Sequence, residues 1–575
     1  MAIWKLDDLY GDLGEKAIKE RLRRKSDAFK AVRKTLDSKP SGGEFTRILE
    51  DLEEIDVLAG RVSAYANLRL SEDTADSERT AHEAMISQLI ADVGNDTMFF
   101  GLWFRDLGDA DAERYLAVSG KHRYPLQRIR AFKKHTLKES EEMIINLKDL
   151  TGSESAVRLY DMLTGRYRFM FEGRKLSYDE ISHYKLSPKR GQRVEAYGAT
   201  LRQYAADGAI LGEIYRPVLN DSRNEDVKLR HFDSPLAAVN LGNDVPDAAV
   251  DNLLESVRKN RRLFQGYFRL KAKVTGIRRM DRYDLYVPHR DRERRYPYTD
   301  SMRTTLQVFR GFSEDAYLMA KRVFDEGHVH SELTRNKQPG AFCHTVVRGM
   351  TPYLMLNHVG KTEDLFTMVH ETGHAVHSMA AAGQTESTYR PALPLAETAS
   401  IFAEMLLTEK LLAEAEDSER ASIMVRSLDR QYATIIRQAY FAIFERTAHG
   451  LVEGGASVEG LDAAYMKNLR EQFGSSMSVP EIFRHEWKGI QHIFYSPFYC
   501  YTYALANLVV LALYRQYRTE GESFVPKYMR ILSMGGSKSP RSILEEAGLD
   551  ITKDGFWQMG FDAIREELMQ LKRII

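Results

Sequence analysis

Thr362-Glu-Asp-Leu-Phe-Thr-Met-Val-His370-Glu371-Thr-Gly-His374-Ala-Val-His377-Ser-Met-Ala-Ala-Ala382 reads as one helix. Its apolar residues Leu365, Val369, Val376 and Met379 recur at helical spacing. Thr362 can cap the N-terminus, Glu363 and Asp364 suit the positive end of the helix dipole, and Gly383 can end the helix. Residues four apart lie one above the other, so the imidazoles of His370 and His374 project to the same side. Two nitrogens so placed can reach one Zn²⁺ at about 2.0–2.1 Å. Glu371 follows the first imidazole and points toward the neighbouring open coordination position. There it can take a proton from water whose pKa a metal lowers toward ~7. The plain alternative is a solvated helix with incidental histidines.

A catalytic zinc site needs a third protein ligand and keeps a fourth position open. His377 fails on distance, because seven residues of helix separate it from His370 by about 10 Å along the axis. It reads as a packing or supporting residue. The better source is Leu395-Ala-Glu397-Thr-Ala-Ser-Ile-Phe-Ala-Glu404-Met405, a second helical segment after the Pro391/Pro394 turn. Glu397 and Glu404 share a face of it. One of these carboxylates completes a His₂Glu set, and the other can orient a ligand imidazole by hydrogen bonding.

The bulk of the chain fits an enzyme of ordinary composition. Its 575 residues are 43% hydrophobic and 29% charged, enough for several domain-sized units or one large body. Lys+Arg and Asp+Glu both number 82, so nothing favours a polyanionic partner, and nucleic acid is not expected. Short basic runs such as Arg290 to Arg295 are mixed with acids and read as solvated surface. Only Cys343 and Cys500 occur, which excludes a disulfide scaffold and a thiolate zinc site and suggests a reducing compartment. The opening MAIWKLDDLYGDLGEK turns acidic at once and does not read as a secretory signal. The longest apolar run, Tyr503 to Tyr514, is shorter than the ~20 residues of a membrane span. A cytoplasmic protein with no membrane association is the expectation.

Helical spacing covers residues 44–70, 76–100, 137–165, 190–220, 246–272, 302–326 and 398–452. Breaks fall at Lys39 to Gly43, around Gly152, near Asn220 to Asn224, at Gly454-Gly455 and at Gly535-Gly536. Two stretches read as extended: Tyr283-Asp-Leu-Tyr-Val-Pro288, and Pro352-Tyr-Leu-Met-Leu-Asn357 just upstream of the histidines. The second can receive a peptide as an added strand. The fold class is therefore mainly α with a small sheet beside the histidine helix.

His-Glu-x-Gly-His-x-x-His, followed 23 positions after His374 by Glu397 in Ala-Glu-Thr-Ala-Ser, resembles the thimet oligopeptidase family of zinc peptidases. Within it the chain is most similar to the bacterial oligoendopeptidase F branch. Supporting stretches run along the chain: Trp4-x-Leu-Asp-Asp-Leu-Tyr10, Tyr283 to Pro288, Lys337-x-x-Gly-Ala-Phe342, Pro352-Tyr-x-x-Leu-Asn357 and Asp364-Leu-Phe366. The resemblance implies a large lobed helical ellipsoid with one Zn²⁺ per chain deep in a channel, held by His370, His374 and Glu397. It implies an N-terminal helical region over 1–190, like that of oligoendopeptidase F, and a catalytic domain over 191–575. It further implies that the tract Gln491 to Ala504 stabilises the tetrahedral intermediate. Matching Tyr-x-Tyr-Ala carries that role to Tyr503 and His492, with Tyr501 or Tyr499 as an additional contact. Such a donor suits peptide hydrolysis, which builds negative charge on the carbonyl oxygen. An aromatic helix packed in a core is the competing use of those tyrosines.

The expected activity is hydrolysis of internal bonds in short peptides, with Glu371 as general base. A metallocarboxypeptidase with the same His₂Glu site is one alternative. A helical peptide-binding scaffold without catalysis is the other.

Overall fold

The spacing read at 44–70, 76–100 and 246–272 becomes helices Gly42–Glu72, Ser77–Asp106 and Asp247–Val274 in the computed structural model. Residues 2–149, 151–289 and 294–575 are described, so the basic run starting at Arg290 lies partly outside them. The first helix starts at a reciprocal cap: the Ser41 hydroxyl accepts from Glu44 N, and the Glu44 carboxylate accepts from Ser41 N. Other periodic stretches are divided. Residues 190–220 form Arg190–Ala206 and Gly208–Ser222. Residues 302–326 form Tyr298–Phe312 and Glu314–Asp325, parted where the Ser313 side chain caps Ala316 N. Residues 398–452 form Thr398–Glu414, Asp417–Gln431 and Arg437–Glu453, with a π-helical turn at Tyr432–Ile436. A capping serine or a wide turn leaves the apolar period intact, which is why spacing alone runs through such breaks.

The chain divides into two compact units, each assembled from three stretches. The first takes Met1–Lys133, Glu293–Lys410 and Gln516–Leu549. The second takes Lys134–Arg292, Leu411–Arg515 and Asp550–Ile575, and the division of the sequence at residue 190 falls inside it.

In the first unit, Phe45, Phe100, Phe104 and Tyr115 fill the core of the N-terminal helices. Next in the chain come three short strands, β1 (Val329–His330), β2 (Phe342–His344) and β3 (Tyr353–Met355). They lie in the order β1-β3-β2, with β1 parallel and β2 antiparallel to β3. Strand alternation sends Tyr353 and Met355 to one face, where Trp4, Leu6 and Leu9 of the N-terminal segment pack. Leu354 goes to the other face, against Met368, Ala375 and Met379 of helix α1 (Thr362–Ala380). The small sheet thus sits beside the histidine helix. Lys337 ties the intervening loop down by donating to the carbonyls of His330, Glu332 and Leu356.

The start of α1 differs in detail from the reading above. Thr362 is the first helical residue, and its hydroxyl donates to Arg294 O. The cap is provided instead by Asp364, whose Oδ2 accepts from Val359 N and Lys361 N.

The second unit packs Leu253, Val257, Phe264 and Phe268 of the long Asp247–Val274 helix into its core. Its only named strands among the described residues form the hairpin Phe169–Phe171/Arg174–Leu176. Tyr283 to Pro288, read as extended, instead starts in a 3₁₀ turn at Arg282–Asp284. The Asp281 side chain accepts from Tyr283 N, and buried Asp284 pairs with buried Arg193. Local carboxylate bonds to the backbone hold a turn where β-propensity alone suggested a strand. The apolar run Tyr503 to Tyr514 lies in a helix, and no described helix is long and apolar enough to cross a membrane.

Candidate active site

On α1, His370 and His374 bring their Nε2 atoms to 3.1 Å of each other. Glu397 Oε2 lies 3.3 Å from the first and 3.5 Å from the second. Glu397 stands just before helix α2 (Thr398–Glu414), and the Ser400 hydroxyl donates to its Oε2 at 2.7 Å. Further along α2, Glu404 Oε1 lies 2.6 Å from His370 Nδ1. That bond places the ring proton on Nδ1 and leaves the Nε2 lone pair facing inward. His374 hydrogen-bonds the backbone of Ala396, and burial holds its imidazole down to about 4, which keeps it neutral.

This donor set fits a divalent cation. Two imidazole lone pairs and a carboxylate oxygen facing one another repel without a positive charge between them. The edge of a tetrahedron with bonds of about 2.05 Å is ~3.3 Å, close to the three separations found. Among the described residues one other acidic group can hold an ion, Asp149 with Asp221 and Glu225. It lacks an imidazole, and Arg230 already pairs with Glu225 at 2.7 Å.

Gly373 explains why the second helix comes so near. A Cβ at this position would lie 2.6 Å from Ser400 Cα and 2.7 Å from Ala399 O. Only a hydrogen there lets the backbone before Ser400 rest on α1, between the two histidines. Gly373→Ala is therefore expected to lower stability by about 1–3 kcal/mol through overpacking. It should also weaken cation binding, because the backbone that joins Glu397 to α2 must move away. Thermal unfolding and metal titration check this; unchanged metal affinity would separate the glycine from the site.

The loop ahead of Glu397 is clasped by a later part of the same unit. Gly536 N donates to Thr388 O at 2.7 Å, and a Cβ on Gly535 would lie 2.6 Å from that same oxygen. Gln384 donates to Ser533 O, and the Tyr528 hydroxyl donates to Thr398 O. Both ends of the loop are held.

Glu371 lines a cavity of about 460 Å³ with His370, His374, Glu397 and Phe342. Burial pushes its carboxyl up to about 7, with nearby Glu397 adding and His370 and the Cys343 N–H opposing. Cys343 belongs to β2, the edge strand of the sheet. This corrects the expectation that Pro352 to Asn357 receives a peptide as an added strand: β3 has neighbours on both sides, and Tyr353, Leu354 and Met355 are fully buried. The free strand edge next to the cavity is Phe342–His344 instead. His377 is buried with Nδ1 unpartnered, and burial holds it down to about 3, so it is a neutral packing residue.

The remaining candidates lie in the second unit. A short helix, Gln491–Tyr495, carries His492, and helix Tyr501–Glu520 carries Tyr503. The Tyr503 hydroxyl lies 3.5 Å from His492 Nε2, at the outer limit of a hydrogen bond. The Tyr499 ring is parallel to His492 with centroids 5.9 Å apart, and edge-on to Tyr503 at 5.3 Å. Burial and the Arg437 guanidinium hold His492 below its ordinary value, hence neutral. Tyr501 departs from the expected grouping. It is fully buried, and its hydroxyl accepts from Asn243 Nδ2 at 3.0 Å. Two residues along a helix is a turn of about 200°, so Tyr501 and Tyr503 face opposite ways.

Between the two helices, Phe498 adopts a left-handed backbone (φ 60°), uncommon for a bulky side chain. Fully buried Glu445 accepts from Phe498 N at 2.7 Å, and His449, one turn on, stacks against the Phe498 ring. Burial pushes Glu445 from its ordinary 4.5 up to about 8. The folded state then keeps a proton that the unfolded chain releases, so stability falls as pH rises from about 4.5 to about 8. Glu445→Gln removes that dependence. Its Tm relative to wild type should climb steadily between pH 5 and pH 8; a constant difference would refute the assignment.

Ser400, Gly373, Cys343 and Glu445 were not singled out from sequence. Ser400 and Gly373 lie inside the quoted motifs, where their types are a signal; Cys343 acts through its backbone and leaves none.

Residues 183–563 match the family model described as Peptidase family M3, and residues 104–169 match Oligopeptidase F. An oligoendopeptidase F homolog of Lactococcus lactis subsp. lactis is 25% identical over 551 residues, 92% of this chain and 90% of the relative. Group B oligopeptidase PepB of Streptococcus agalactiae is 25% identical over 558 residues, 94% and 91% of the two chains. A crystal structure from Chlamydophila abortus superimposes with a TM-score of 0.90 at 25% identity, covering 100% of this chain and 98% of that one. Oligoendopeptidase-F from Enterococcus faecium shares the fold with a TM-score of 0.71 at 22% identity, over 97% and 98% of the chains. The chain belongs to peptidase family M3, a family of metallopeptidases.

Proposed function

We propose that the chain is a cytoplasmic, zinc-dependent endopeptidase that hydrolyses internal bonds of short peptides, with residues 191–575 carrying the chemistry. One observation carries this reading: three inward-facing donors, His370, His374 and Glu397, converge within 3.5 Å of one another beside Glu371. A divalent cation held by these three supplies Lewis acidity to a carbonyl oxygen and lowers the pKa of water. Glu404 keeps the His370 lone pair aimed inward. Glu371 accepts a proton from the attacking water on its carboxylate and returns it to the leaving amine. The outer edge of β2 lies along the cavity and offers backbone groups to an extended peptide, which favours length and conformation over side-chain identity. His492 and Tyr503 donate hydrogen bonds to the oxyanion, with Tyr499 taking the additional contact in place of Tyr501.

The test is metal analysis of the purified protein coupled to digestion of a defined mixture of short peptides, with and without chelator. One zinc per chain and chelator-sensitive internal cuts are expected. Stepwise trimming from C-termini would assign a carboxypeptidase instead, and substoichiometric metal without cleavage would assign a binding scaffold.

A further inference from the structure

The cavity beside the metal donors holds a cation that the mechanism does not use. Among the described residues that line it, Arg390 is the only arginine or lysine, in the company of the acids Glu371 and Glu397. Its backbone is fixed by the same clasp that holds the loop: a Cβ on Gly536 would lie 2.5 Å from Arg390 O. Its side chain is fixed as well, because one guanidinium nitrogen, Nη2, donates to Thr345 O at 3.1 Å and to Val346 O at 3.2 Å. Thr345 directly follows β2, so the guanidinium stands at the end of the free strand edge. Cys343, whose N–H reaches Glu371, lies two residues back, about 7 Å along an extended chain. All of these residues belong to the first unit.

Two neutral carbonyls are an incomplete set of partners for a guanidinium, which is always charged and carries a fork of N–H donors. Among the described residues no carboxylate forms an ion pair with Arg390. The acids it influences are held elsewhere: Glu386 Oε2 accepts from Arg348 N at 3.0 Å, and Asp56 is pushed up to about 6 by burial, with Glu386 and Glu53 adding and Arg390 opposing. Arg390 is exposed, so an incoming group can reach it. A fork fixed at both ends and short of a counter-ion can take one from outside at little ordering cost. We propose that Arg390 is a specificity-determining residue that binds a carboxylate of the peptide substrate about two positions from the scissile bond, when the peptide lies along β2. That carboxylate is an acidic side chain at this position, or the terminus of a peptide that ends there; both present the same pair of oxygens. The proposal deepens the endopeptidase reading and rests on it for the identity of the ligand.

Binding is best read apart from cleavage, in a Glu371→Gln background loaded with zinc, by fluorescence anisotropy of labelled peptides. One series moves a single Glu along a nonapeptide, each against its Gln isostere. A second compares the free C-terminal acid with its amide in peptides shortened from that end. At one position the acid should bind roughly fivefold to twentyfold more tightly than its neutral partner, as expected for a charge-assisted contact at an exposed arginine. Arg390→Lys should retain part of that preference. Arg390→Glu should invert it, favouring Lys over Gln at the same position. A preference confined to the Glu series assigns the acidic side chain, and one confined to the shortened acids assigns the terminus. A residue that merely fastens the loop would weaken acid and neutral peptides alike. Ratios left unchanged in both variants therefore overturn the proposal, as does a parent protein with no preference at any position. If no peptide binds, the endopeptidase reading fails instead, and glutarate decides the site. Thermal stabilisation by glutarate that Arg390→Gln abolishes upholds a carboxylate site; stabilisation that survives the change, as carboxylate binding to the metal would, or none at all, overturns it.

Discussion

Glu371→Gln should keep the cation at full occupancy and lose roughly a hundredfold to ten-thousandfold in kcat, the span usual for a general base. The amide preserves the volume of the side chain and can still receive the Cys343 N–H on its oxygen, so the cavity keeps its shape. What disappears is the capacity to hold a transferred proton. In the parent protein, activity should decline as acid protonates Glu371, because only the ionised carboxylate accepts a proton. Burial together with the neighbouring groups sets that limb near 7, and a bound cation moves it lower. The variant should show no such limb in its residual activity. Stopped-flow hydrolysis of a quenched peptide, paired with metal analysis, is the measurement. Loss of zinc along with activity would make Glu371 a structural residue.

A larger effect on the metal itself is expected from Glu397 and Glu404, at and beyond the start of α2, in a definite order. Glu404→Ala removes the group that orients His370, and outer partners of this kind typically account for about 10–100-fold in metal affinity. Glu397→Ala removes a donor and leaves two imidazoles, so its loss must be greater and activity should vanish at ordinary zinc concentrations. Competition against a chromophoric chelator ranks the two. The reverse ranking would mean that Glu404 binds the cation and Glu397 merely supports it.

The pairing of the two histidines was legible in the sequence, because local periodicity carries it; the ordering of the two acids was not. A one-turn spacing fixes the relation of His370 to His374 within a single helix, and no tertiary knowledge is needed. Which of Glu397 and Glu404 faces the ion depends on how a second helix lies across the first. Gly373 sets that approach through a backbone contact that no periodicity encodes. Strand β2 escaped notice because three residues, Phe342–His344, are too few to display alternation, although its edge borders the cavity. Tyr283 to Pro288 misled in the opposite way: aromatic and β-branched residues suggested a strand, while Asp281 and Asp284 wrote a turn. The tyrosines at 499, 501 and 503 show a third limit. Alternation suits a strand, but here Tyr501 starts a helix and Tyr499 precedes it, so the geometry separates residues that composition groups together.

The clasp of Gly535 and Gly536 on the loop before Glu397 has a bearing on biosynthesis. The ribosome releases His370 and His374 long before it reaches the residues that fasten the third donor in place. A nascent chain in that interval offers an ion only a pair of imidazoles and a loosely tethered acid. Tight capture of a cation therefore belongs to the end of translation, and a polypeptide truncated ahead of Tyr528 should emerge with every candidate donor present yet without a competent metal centre.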